Sequence, residues 1–249
     1  MATKNAMSLY SEKERVLSQP AFILHHRPYR NTSLLLDVLS KDHGRLSLIA
    51  KGAKRPKSAL RACLQSFQHL SLSWVRKTGL GTLTQAEFRE RPRFLEGDAM
   101  YAALYVNELL TRALEKDHPE IDIYDAYVQV LNALTELGVG QALRVFEYDL
   151  LQSLGFEIQL DFDVEQNPIS ENLFYKFIPE SGFVESKEKN VFLFSGKHLL
   201  AFSEKNFRSP EVLKTAQQLM QIGLQGIIGK EPLKTRELFV AYRQMQKIT

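Results

Sequence analysis

A chain of 249 residues is long enough for two domains that each bury a core, and 44% hydrophobic with 24% charged residues is the balance of a globular protein rather than of a disordered or membrane-embedded one. Its one cysteine, Cys63, excludes an intrachain disulfide and a zinc site built on several thiolates, and no run approaches the roughly 18 apolar residues of a spanning helix. The net charge of +3 is unevenly spread: residues 1–93 hold 17 Lys and Arg against 6 Asp and Glu, and residues 94–249 hold 15 against 23, which points to a basic module that meets a polyanion joined to an acidic one with other work.

The first twenty residues, MATKNAMSLYSEKERVLSQP, are polar where a leader needs an apolar run, so a cytoplasmic location is expected. AFILHHR (21–27), ended by Pro28, reads as a strand. TSLLLDVLS (32–40) and RLSLIAK (45–51) read as two more, joined by KDHG into a hairpin. HLSLSWV (69–75) puts Leu70, Leu72 and Trp74 on one face, and TLTQAEFRE (82–90) follows the turn signal TGLG. Five short strands in a basic stretch predict a small closed or partly open barrel.

From Gly97 the apolar period changes to about 3.6. Helices are predicted over 99–116, 123–137 and 141–155, the last closing on Gly155, and over 209–228 and 235–247, with Ser209 and Thr235 as N-caps and Pro210 at the first helical position. Residues 156–208 are less regular, with short strands in FYKFIPESGFVES and NVFLFSG and a helix near 196–204.

Between the third and fourth strands lies IAKGAKRPKSALR (49–61), which carries Lys51, Lys54, Arg55, Lys57 and Arg61 and no acid. A charge run by itself is as readily a solvated loop as a binding surface. Here Arg27, Arg30, Arg45, Arg76, Lys77, Arg89, Arg91 and Arg93 enlarge the same basic module, which favours a surface that neutralises phosphates. Trp74 shares a face with Leu70 and Leu72, so it and Phe22 are assigned to the core; Tyr29, between Arg27 and Arg30, is the better base-stacking side chain. His25 and His26 point to opposite faces of a strand and are poor joint ligands, Cys63 has no neighbouring base in sequence, and Asp161 with Asp163 reads as a solvated acidic loop.

AFILHHRPYRNTSLLLDVLSKDHGRLSLIAKGAKRPKSALRACLQSF, YVNELLTRAL, ALRVFEYDLLQSLGF, FYKFIPESGF and GKEPLKTREL follow one another over most of residues 20–240 and resemble the bacterial RecO family of recombination mediators. The resemblance implies an N-terminal oligonucleotide-binding barrel (OB-fold, 1–93) and a mainly helical C-terminal domain (94–249). It also implies binding of single- and double-stranded DNA, annealing of complementary strands, and loading of recombinase onto DNA coated by single-strand binding protein, in concert with RecR. No catalysis and no cofactor are implied. Many members bind zinc through cysteines in the region matching 156–185; this chain has neither Cys nor His there, so 156–208 is expected to be a zinc-finger-like insertion held without metal by Phe156, Phe174, Tyr175, Phe177 and Phe183.

The residues assigned to DNA are Arg27, Arg30, Arg45, Lys51, Lys54, Arg55, Lys57, Arg61, Arg76 and Lys77. The family's helical half is further implied to receive the acidic C-terminal tail of single-strand binding protein. Arg144 is placed there as the cation over an apolar groove, or else as a surface arginine paired with Glu147 or Asp149, and Arg112 is a second rim cation. The alternative class is a non-enzymatic adaptor whose basic barrel binds RNA or an acidic protein.

Overall fold

The computed structural model describes residues 14–156, 158–188, 191–229 and 231–246. Residues 1–13, on which the expectation of no leader partly rests, and Lys230 of the GKEPLKTREL stretch lie outside the described residues. The chain divides into two compact units, a first ending at Arg93 that also takes in Glu115–Pro119, and a second made of Phe94–Leu114 and the residues from Glu120 onward.

The first unit holds β1 (Glu14–Tyr29), β2 (Ser33–Ser40), β3 (Gly44–Ala50), α1 (Leu60–Cys63), β4 (Leu70–Arg76) and β5 (Gly81–Phe88). The strands pair in the order β1-β2-β3-β5-β4 and close into a barrel. Closure depends on β1, which is 16 residues long and pairs with β4 through Glu14–Ala21 and with β2 through Ala21–Tyr29. Ser18, at φ 51, lies where the register with β4 slips, and a second slip falls between Ile23 and His25; such irregularities bend a strand around a barrel. The early part of β1 precedes the predicted start at residue 21 because its polar side chains and Pro20 give no apolar period.

Inside the barrel the alternation predicted from sequence is fulfilled, with Ile23, Leu36, Val38, Leu46, Leu48, Leu70, Leu72 and Trp74 fully buried. Phe22 is also buried, on the other side of β1, where its ring stacks on His69 at 4.9 Å. The hairpin between β2 and β3 turns at Gly44, whose φ of +63 suits glycine and where an added Cβ would fall 1.9 Å from the carbonyl oxygen of His118.

The second unit contains α2 (Gly97–Ala113), α3 (Ile121–Glu136), α4 (Val139–Ser153), α5 (Gly196–Ser203), α6 (Pro210–Ile228) and α7 (Lys234–Gln246), with β6 (Phe174–Ile178), β7 (Gly182–Glu185) and β8 (Phe194–Ser195) in a three-stranded sheet of order β7-β6-β8. α4 ends on Gly155 at φ 81, whose N–H donates to the Gln152 carbonyl while that of Phe156 reaches back to Leu151, a Schellman closure. Ser209 caps α6 by accepting from the Glu211 N–H, with Pro210 in the first turn. Thr235 is not the cap of α7: it lies inside the helix, and the Glu108 carboxylate accepts from the N–H groups of Lys234 (3.0 Å) and Thr235 (2.8 Å).

The insertion buries Tyr175, Phe183 and Phe194, and Ile158, Leu160 and Ile169 are buried as well. Phe177 leans on Phe183 at 5.1 Å between centroids. Phe156 and Phe174, expected in this core, are exposed instead; Phe174 alternates with the buried Tyr175 along β6 and so faces outward. Among the described residues no group of three or more His, Cys, Asp or Glu could hold a metal ion, and the donor set of 156–185 does not fit zinc. Phe183→Ala is therefore expected to cost about 3–5 kcal/mol, read as a lower denaturant midpoint, whereas chelation leaves the midpoint unchanged. Elemental analysis checks the second half directly; zinc near one atom per chain that resists dialysis contradicts it.

Candidate functional site

β2 begins beside the end of β3, Leu34 facing Ala50, and the end of β3 pairs with the start of β5, Leu48 facing Gly81. This register gathers the β1–β2 turn and the β3–β4 connection. The Lys54 N–H donates to the Thr32 carbonyl at 2.9 Å, and the Arg55 N–H to that of Gly52 at 3.1 Å. Ala53 and Leu64 are buried and pin the segment at both ends. Between these anchors Lys54, Arg55 and Lys57 are exposed, as is Arg61 on α1; Lys51, just before Ala53, and Arg30, in the adjoining turn, are exposed too. The Arg30 guanidinium lies 5.4 Å from the centre of the Tyr29 ring, an arrangement that leaves a planar cation over a partly exposed aromatic. Arg27 on β1 and Lys77 after β4 are also exposed.

Two of the ten assigned cations have a different setting. Arg45 stands at the opposite end of β3 from Lys51 and makes a two-pronged contact with Asp37 at 3.1 and 2.9 Å, both side chains being largely buried. Arg76 donates to Glu14 at 2.7 Å and to Asp117, and hydrogen bonding to Glu14 raises its pKa above the ordinary value. These pairs tie the barrel to itself. Sequence reasoning missed this because the acids that answer them are 8, 62 and 41 residues away.

The remaining residues singled out for chemistry have the following settings. Cys63 is partly buried, which raises its thiol pKa, and Glu87 acts in the same sense. His25 and His26 are both exposed, and burial of part of its ring lowers the His26 pKa. Asp163 accepts from the backbone N–H groups of Glu165 (2.9 Å) and Asn167 (2.8 Å), the geometry of a solvated turn.

Within the second unit a pocket of about 470 Å³ opens between α2, α4, α6 and α7. Its walls include Tyr101, Leu143, Leu224, Phe239 and Val240, and Arg144 is among the residues that line it. Arg144 also makes the alternative contact: its guanidinium donates to Glu147 at 2.7 Å. Glu147 is buried, and the Tyr105 hydroxyl donates to the same carboxylate oxygen at 2.6 Å. Burial pushes the Glu147 carboxyl above the usual range, against the charge of Arg144 and the Tyr105 hydrogen bond, while burial and that carboxylate hold the Tyr105 hydroxyl well above its ordinary value. Arg112 is not in the wall. It donates to the Glu231 and Pro232 carbonyls, both at 2.9 Å, and to Glu108 at 2.8 Å, and so fastens the segment that forms the rim. Arg236 lines the pocket and was missed, since nothing in its local sequence distinguishes it from the other cations of α7.

Residues 15–91 match the family described as Recombination protein O N terminal, and residues 95–237 match Recombination protein O C terminal. A DNA repair protein RecO of Coxiella burnetii is 40% identical over 232 residues, spanning 90% of this chain and 98% of the relative. The DNA repair protein RecO of Haemophilus influenzae (strain 86-028NP) is 40% identical over 223 residues, 89% of this chain and 94% of its own, and that of Polynucleobacter asymbioticus is 40% identical over 241 residues, 93% and 98%. With both halves matched and near-complete relatives at this identity, the chain belongs to the RecO family of DNA repair proteins.

Proposed function

We propose that the protein is a non-enzymatic recombination mediator. Its barrel is an OB-fold that holds single- and double-stranded DNA and anneals complementary strands; together with RecR the protein loads recombinase onto DNA coated by single-strand binding protein. The observation that carries this reading is the gathering of Arg30, Lys51, Lys54, Arg55 and Lys57 at one end of the barrel, on backbone anchored by Ala53, Leu64 and the Lys54–Thr32 hydrogen bond. Cations held on a fixed backbone neutralise successive phosphates without the entropy loss of ordering a free loop, and a phosphate-directed surface leaves bases accessible for pairing. Tyr29 with Arg30 supplies a stacking platform beside it. Arg27, Arg61 and Lys77 extend the surface, whereas Arg45 and Arg76 are neutralised by Asp37, Glu14 and Asp117 in the barrel's own ion pairs and serve the barrel rather than DNA.

The pocket of the second unit is the site we assign to the C-terminal tail of single-strand binding protein. A tail that ends in an apolar residue with a free carboxylate finds apolar walls in Leu143, Leu224 and Phe239 and cations in Arg144 and Arg236. Arg112 contributes by holding the rim at Glu231 and Pro232.

DNA affinity is expected to fall steeply with salt, with a log-log slope of about −0.7 per phosphate neutralised on a single strand. Replacing Lys54, Arg55 and Lys57 by Glu lowers affinity for all sequences alike and flattens that slope; unchanged affinity refutes the surface. Arg144→Ala is expected to weaken an acidic tail peptide about tenfold, the loss of one charge-assisted hydrogen bond of roughly 1.5 kcal/mol, and to leave DNA binding nearly intact. Fluorescence anisotropy with a labelled peptide and a labelled oligonucleotide reads both, and joint loss or joint retention contradicts the division of labour.

A further inference from the structure

Glu147 keeps a carboxyl group where ionisation is costly. Its side chain is 1% exposed, its Oε1 accepts from both Tyr105 and Arg144, and its Oε2 is sealed from solvent without a hydrogen-bond partner. Arg144 Nε is sealed and unpartnered as well, so the pair rests on one N–H···O bond where a guanidinium and a carboxylate side by side make two. The charged and titratable groups around the pocket are Asp98, Tyr101 and Tyr105 on α2, Arg144 beside Glu147 on α4, Glu231 on the rim and Arg236 on α7; α6 presents the neutral Gln217, Gln221 and Gln225. Asp98 is paired with Arg243. Among the described residues, the cation hydrogen-bonded to Glu147 is Arg144.

A carboxylate that enters the pocket therefore competes with Glu147 for one guanidinium. If Arg144 turns to the ligand, Glu147 becomes a buried anion with a single neutral donor, a state far costlier than a neutral carboxyl in the same place. The neutral form fits better: Oε1 still accepts from Tyr105, and a protonated carboxyl leaves no unsolvated charge at the sealed, unpartnered Oε2. We infer that binding of an anionic carboxylate at Arg144 is accompanied by uptake of one solvent proton by Glu147, so that occupancy of the pocket is linked to pH. This rests on the reading of the pocket as the site of an acidic peptide tail. The ligand carboxylate stays ionised, and the proton comes from water. Burial already lifts the Glu147 carboxyl above its usual range, the direction that favours proton uptake.

The sign follows from linkage. A group that gains a proton on binding raises affinity as pH falls, by up to about tenfold per pH unit, between its pKa in the complex and its lower pKa in the free protein. That window lies above the range near 4 where the peptide's own acids titrate. The test uses the full chain and a fluorescent Asp-Asp-Asp-Leu-Phe peptide with a free C-terminus. Anisotropy gives affinity between about pH 5 and 8, and calorimetry in two buffers of different ionisation enthalpy gives the protons taken up. Wild-type affinity is expected to fall as pH rises, with uptake approaching one proton inside the window. Glu147→Gln, a neutral mimic that keeps an acceptor for Tyr105, abolishes the uptake and the pH dependence. Tyr105→Phe, which removes a hydrogen bond that favours the carboxylate, moves the profile to higher pH and carries the test if the glutamine variant does not fold. Peptide binding without proton uptake, an unchanged profile in Glu147→Gln, or an unmoved profile in Tyr105→Phe overturns the inference while leaving the pocket assignment standing. A wild-type protein that fails to bind the peptide at every pH overturns the pocket assignment and the inference with it.

Discussion

One strand serving two neighbours holds the first unit together. β1 must be long, bent and paired on both edges for β4 to find a partner at one end and β2 at the other. The barrel closes through a short seam, Leu48 with Gly81 and Ile49 with Thr82, and the start of β3 is bridged instead by Lys116. The pairing of β3 with β5 is the second requirement, because it fixes the end of β3, from which the basic connection departs. A strongly charged segment would otherwise repel itself into an extended, mobile loop; Ala53 and Leu64, buried in the barrel core, hold it in place.

Charge is sorted by the fold as well as by the sequence. Asp37 and Glu14 are matched to Arg45 and Arg76, and Glu90 lies 2.7 Å from His69, so much of the barrel's acid is committed away from residues 51–61. The basic connection is left without a neutralising acid of its own in sequence. In the second unit the acid has a constructive part. Glu108 caps α7 and pairs with Arg112, and Arg112 in turn holds the rim segment, so one carboxylate organises a wall of the pocket. Its pKa lies below the ordinary value although burial opposes this, because Thr235, Lys234 and Arg112 all favour the ionised form.

Much of this was legible along the chain. The alternation of Leu70, Leu72 and Trp74 and the turn signals KDHG and TGLG carried the barrel strands, and the 3.6 period with Ser209-Pro210 and Gly155 carried the helices, because these signals act within a few residues. What escaped depends on distant partners. The first part of β1 is a strand because β4 pairs with it, α7 starts where Glu108 caps it, and Phe156 and Phe174 are exposed where Tyr175, Phe183 and Phe194 are buried. The Arg144–Glu147 contact was foreseeable from i,i+3 spacing; its burial under Tyr105, 42 residues away, was not.

The central claim is that this barrel brings DNA strands together through their phosphates. The most direct measurement is the rate at which two complementary oligonucleotides, labelled for energy transfer, form duplex with and without the protein at moderate salt. The account predicts a marked acceleration that disappears at high salt and does not depend on the sequence of the pair. DNA binding without any acceleration of duplex formation would contradict it and leave a basic adaptor in its place.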